Sequence, residues 1–120
     1  MRIAVISDIH GNDFAFDLVE ADIQKQSVDK IVCLGDAIQG GAQPAEVIQR
    51  LRRLNCPVVM GNADDWLLTK NGVEQENIPP ERNKKMEAIR DWTLSKLSDG
   101  DKNFIAGFKP TITLPLERCV

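Results

Sequence analysis

Three short stretches concentrate the side chains that could do chemistry: Asp8-Ile9-His10-Gly11-Asn12, Gly35-Asp36 and Gly61-Asn62-Ala63-Asp64. Between them, Asp8, His10, Asp36 and Asn62 offer two carboxylates, one imidazole and one amide oxygen. That mixed oxygen and nitrogen set suits Mn, Fe or Zn better than a thiophilic ion, and better than the all-oxygen cage that calcium prefers. The spacing of Asp8 and His10, two residues apart, lets a turning backbone aim both at one ion. Asp36 has two oxygens and could bridge two ions. Singly, each residue has a plainer reading, because an Asp at a strand end is often a cap and Gly-Asp and Gly-Asn are common turn pairs. Their order, one group after each of three apolar runs, is what favours a common site.

The runs are Ile3-Ala4-Val5-Ile6, Ile31-Val32-Cys33-Leu34 and Val58-Val59-Met60. Residues 2–7 read as a strand buried on both faces, since both parities are apolar, and residues 30–34 as a second strand closed by Gly35-Asp36. Pro57 opens the third strand, a place where its missing N–H does no harm. A helix capped by Asn12 or Asp13 runs to about Gln26, with Phe14, Leu18 and Ala21 inward and Ala15, Val19 and Ile23 broadening the stripe. Pro44 starts a second helix with Val47, Ile48, Leu51 and Leu54 on its apolar face. The result is an α/β, β-α-β-α-β start with parallel strands, right-handed crossovers and helices on one face. Functional groups then collect outside the strands' carboxyl ends, on one rim.

Further on, the pattern predicts a short helix over 64–69, a polar mobile loop over 71–80, and a helix from Pro80 to Leu97. Met86, Ile89 and Trp92 or Thr93 face the core in that helix, and Asp99-Gly100 stop it. One more turn is expected over 101–107 and a final strand over 111–116. Substrate specificity would sit in the 37–43 and 71–80 loops.

A chain of 120 residues fits a single domain, 1–120, able to bury a core. With 42% hydrophobic and 28% charged residues, disorder is not expected. A formal charge of −3 gives no strong nucleic-acid signal and no pull toward anionic membranes. The basic groups Arg50/Arg52/Arg53 and Arg82/Lys84/Lys85 read as solvated helix faces. Cys33 and Cys56 fall in or beside buried strands, where a thiol acts as a small apolar group. An odd cysteine count without metal or redox spacing points to a reducing cytoplasm. No run approaches membrane-spanning length. Gly40-Gly41 follows the second strand rather than opening the first helix, so a dinucleotide-binding domain is disfavoured.

The three blocks resemble the first three signature blocks of the calcineurin-like metallophosphoesterases, and most nearly the small bacterial and archaeal phosphodiesterase branch. The resemblance is strong over residues 1–70 and loose beyond. It implies the first half of a four-layer α/β sandwich, and hydrolysis of phosphodiesters or phosphomonoesters by a metal-bound hydroxide attacking in line. It also implies Asp8 and His10 on a first metal, Asp36 bridging, and Asn62 on the second metal. Asp36 and Asn62 then act in catalysis, with Asn62 and Asn12 as the phosphate-binding pair. The cofactor expected is a divalent ion, Mn, Fe, Zn or Ni. Two departures temper this. Ala63 stands where much of the family has a leaving-group histidine, which leaves Asp64 as a helix cap. His10 is the one histidine in the chain, so the family's later histidine blocks have no counterpart. The expectation is a C-terminally incomplete domain holding at most one ion well, impaired in hydrolysis or reduced to a binding remnant. An uncovered sheet face or edge would then carry a homo-oligomer contact.

Overall fold

Residues 1–71 and 77–116 are described by a computed structural model. In order they form β1 (Ile3–Ile6), α1 (Asp13–Lys25), β2 (Lys30–Cys33), α2 (Pro44–Leu54), α3 (Asn62–Thr69), α4 (Pro80–Ser95) and α5 (Asp99–Ala106). β1 and β2 pair in parallel, from Ile3 beside Lys30 to Ile6 beside Cys33. Parallel neighbours need a crossover, and α1 supplies it. Asn12 caps α1, its Oδ1 accepting from the Ala15 N–H at 3.0 Å. Pro44 takes the first position of α2, where its missing donor is not needed.

The expected third strand is reduced to two isolated parallel bridges, Cys33 with Val58 and Val59 with Lys109. Val59 donates to the Cys33 carbonyl at 2.8 Å, and Met60 to the Lys109 carbonyl at 2.7 Å. Pro57 has no N–H to give, and Gly61 already caps α3, so little backbone remains for a ladder. Thr111 to Leu116 form no strand. Pairing stops at Lys109, because Pro110 cannot donate the next bond.

α2 carries the core. Pro44, Val47, Ile48 and Leu51 are buried and meet Phe16, Cys33, Ala37, Val58, Leu67 and Ile105. Each fully buried aliphatic contributes roughly 1.5–3 kcal/mol of transfer free energy. α2 packs between α1 and α5, and α5 continues the layer to α3. Burial also pushes the Cys33 thiol up to about 11, so it remains a neutral apolar filler.

Several sequence expectations fail here for one reason: apolar periodicity does not say which stripe a helix buries. In α1, Phe16 and Glu20 face inward while Phe14 and Leu18 are 75% and 62% exposed. The inward polar positions are satisfied by Arg50, which is no solvated side chain. Its Nε lies 2.7 Å from Asp13 Oδ1 and its guanidinium also bonds Glu20 and Asp17. Arg53 adds a 3.0 Å bond to Glu20. Arg82, Lys84 and Lys85 are exposed, as read. In α4, Thr93 is buried but Ile89 and Trp92 are not. Asp99-Gly100 do not follow that helix as a stop. They open α5, whose N-cap Ser98 exchanges bonds with Asp101, both at 3.0 Å.

β1 is not buried on both faces, since Val5 is exposed, and Leu34, the residue just past β2, is exposed as well. Most of the loop read over 71–80, namely 72–76, lies outside the described residues. No helix among the described residues is long and apolar enough to cross a membrane.

Candidate metal centre

Past the strand ends, the two segments of the chain go on exchanging backbone hydrogen bonds, with the pairing slipped by one residue between Asp8 and His10. Asp8 donates to the Gly35 carbonyl at 3.0 Å, His10 to the Asp36 carbonyl at 3.0 Å, and Gly11 to the Ala37 carbonyl at 2.8 Å. This carries Asp8 and His10 alongside Asp36. All three adopt left-handed backbone, with φ of 58°, 48° and 52°. Asp and His tolerate that region better than branched residues do, yet each instance costs roughly 1 kcal/mol or more. Three such residues in one cluster mark a place where geometry is held against local preference. The outcome is one donor atom from each of Asp8, His10 and Asp36, all within 4.8 Å of one another.

Each donor is oriented by a second group. The Ser7 hydroxyl donates to Asp8 Oδ2 at 2.5 Å. That bond chiefly holds the Asp8 carboxyl below its ordinary range; slight desolvation opposes it and His10 assists. His10 Nδ1 lies 2.8 Å from the Gln39 carbonyl, which can only accept, so Nδ1 carries the hydrogen. In the neutral ring the Nε2 lone pair then faces Asp8 Oδ1 at 3.3 Å. Two acceptors pointed at each other are unfavourable unless a cation, or a second ring proton, lies between them. Asp36 Oδ1 accepts from the Ala63 N–H at 2.9 Å, which leaves its other oxygen for an ion. This donor set fits a divalent first-row metal.

Beneath the cluster sits Asp64, fully buried. Its Oδ2 accepts from Asp36 N at 2.8 Å and Gly61 N at 3.1 Å, and its Oδ1 from Ala37 N at 3.0 Å. Burial outweighs these donors and raises its pKa. Asp64 therefore caps α3, as the sequence suggests, and also locks the loop after β2 to that helix. Gly61 must be glycine, because a Cβ there would run into the Asp36 carboxylate. Gly41 likewise lies against the His10 carbonyl.

Of the predicted site residues, Asp8, His10 and Asp36 converge. Asn62 is exposed as the first residue of α3, adjacent to the Ala63 N–H that binds Asp36. Asn12 commits its oxygen to capping α1, so only its amide nitrogen remains for a phosphate. Sequence reasoning missed Ser7, whose hydroxyl beside Asp8 was a readable signal. It also missed the Gln39 carbonyl, which no residue type could reveal.

The calcineurin-like phosphoesterase family matches over residues 1–116. The chain belongs to that family. An uncharacterized protein of Methanocaldococcus jannaschii is 45% identical over 75 residues, covering 62% of this chain and 31% of its own length. A solved metallophosphoesterase from Sphaerobacter thermophilus is similar at TM-score 0.68 and 29% identity, over 90% of this chain and 41% of that one. A second solved structure, provisionally named a diadenosine tetraphosphatase, is similar at TM-score 0.61 and 25% identity, over 89% and 42%. The chain thus spans between 31% and 42% of the length of these three proteins.

Proposed function

We propose that this chain supplies the cation-binding wall of a phosphate-ester hydrolase, with Asp8, His10 and Asp36 holding one divalent ion, Mn, Fe, Zn or Ni. The convergence of three oriented donors, with His10 Nε2 turned toward Asp8, carries this reading. Such an ion, when bound, supplies a Lewis acid that acidifies water and neutralises charge on phosphate oxygens. The protein's part is positional. Asp36 is fixed by the Ala63 N–H, and His10 by Gln39. Asn62 can donate its amide to a phosphate oxygen from the N-terminus of α3, where the helix dipole favours an anion. Ala63 has no side-chain proton to offer a leaving group, and its N–H is already committed to Asp36.

A second reading, a binding module without turnover, is favoured by His10 being the one histidine in the chain. Calorimetric titration with Mn should fill one site per chain, and Asp36→Asn should weaken it by about tenfold or more. Mn-dependent hydrolysis of a generic aryl phosphodiester, lost in Asp36→Asn, supports the enzyme. Binding without hydrolysis supports the module, and no Mn binding sinks both.

A further inference from the structure

The cleft over Asp8 and His10 does not end at the donors. It runs across Gly41 and Ala42, and a second, shallower cavity of about 410 Å³ starts from those same two residues. Its far wall is α4, which presents Ala88, Ile89 and Trp92. These are the Ile89 and Trp92 that a core position was expected to bury; they stand 43% and 42% exposed. Residues three and four apart on a helix share a face, so Ala88, Ile89 and Trp92 make one surface. The floor, Gly40 to Ala42, carries no polar side-chain atom. Lys96 Nζ lies 5.5 Å from the Trp92 ring centroid, a cation–π contact that steadies the indole from outside the cavity's lining.

An open, apolar slot floored by glycine and alanine, walled by an exposed indole and continuous with the candidate metal centre, fits a planar ring attached to phosphate. We propose that this shelf receives the aromatic group of the ester, a nucleobase or an aryl ring, stacked on Trp92 while the phosphate lies at Asp8, His10 and Asp36. Trp92 is then a specificity residue and touches no reacting atom. The inference rests on the phosphoesterase reading above, and its test separates the two.

With the chain saturated in Mn, calorimetry would compare AMP, ribose 5-phosphate and inorganic phosphate. Stacking on an aromatic side chain should make AMP bind about 5- to 150-fold tighter than ribose 5-phosphate. AMP should also quench Trp92 emission, while the buried Trp66 stays unaffected. Trp92→Ala should erase the preference and leave phosphate affinity unchanged, and Trp92→Phe should keep part of it. p-Nitrophenyl phosphate behaving like AMP would support an aryl occupant equally. If AMP and ribose 5-phosphate bind alike while phosphate still binds with Mn, the shelf is refuted and the metal site stands. If none of the three binds in a Mn-dependent way, both fall.

Discussion

The two borders of the short sheet differ sharply. Toward α2 it is closed: Cys33, Val47, Ile48, Leu51 and Leu67 lose all contact with solvent. Away from α2, Val5 and Leu34 stay exposed, β1 pairs with β2 alone among the described residues, and α1 turns Phe14 and Leu18 outward. Both borders are built from the same kind of apolar residue. What separates them is whether a second layer is supplied, and the described residues supply it on one side only. The metal cluster lies at the strand ends, its loops anchored from the closed side through Asp64 and the carbonyls after β2.

If the closed side holds the cluster in place, cutting its anchor should produce the largest effect. Asp64→Ala strips three backbone N–H groups of their acceptor at once. At roughly 1–3 kcal/mol for each buried donor left unmet, partly recovered by water, the loss should be about 3–5 kcal/mol in urea unfolding. Mn affinity should fall with it, because Asp36 and Gly61 lose their common tether. Unchanged Mn affinity in a folded Asp64→Ala variant would show that the cluster needs no support from below.

The Arg50 network gives the next effect and carries a pH signature. Arg50→Met leaves the largely buried Asp13 and the buried Glu20 without their main cation, a loss of about 3 kcal/mol at neutral pH. Burial alone would raise the Glu20 pKa, but the bonds from Arg50 and Arg53 outweigh it and hold the group below its ordinary 4.5. A depressed folded-state pKa contributes stability above the unfolded value, and that stability is lost as pH falls through the folded value. The gap between native and variant chains should therefore be full at pH 7 and shrink below about pH 4.5. A gap constant down to pH 3 would mean that Arg50 acts through packing on Phe16 rather than through charge.

How much of this could be read in the sequence follows the same division. Chemistry written in residue types is legible: the sequence groups Asp8, His10, Asp36 and Asn62 at successive strand ends, and the structure brings donor atoms of the first three within 4.8 Å of one another. Punctuation was legible too, in Asn12 capping α1 and Pro44 opening α2. What depends on a partner was not. The inward face of α1 is set by Arg50, 37 residues away from Asp13, and no periodicity in α1 contains it. The His10 tautomer is set by a backbone carbonyl. The outward turn of Trp92 is visible only once Thr93 is seen to take the buried position.

The smallest effect on stability tests the open border. Phe14 and Leu18 lie one turn apart on α1 and touch solvent, so exchanging both for serine should change unfolding free energy by only about 0.5 kcal/mol each. Such an exchange would be ruinous at Val47 or Leu51. Uncovered apolar residues beside an unpaired strand edge are nevertheless a surface on which chains associate. If a second copy covers this border, sedimentation of the native chain should show a concentration-dependent dimer, and the double serine variant should shift it to monomer without loss of fold. A native chain that stays monomeric at every concentration would break the expectation of self-association. The contrast between borders would then be one of packing alone, with the open side sufficiently stable in water.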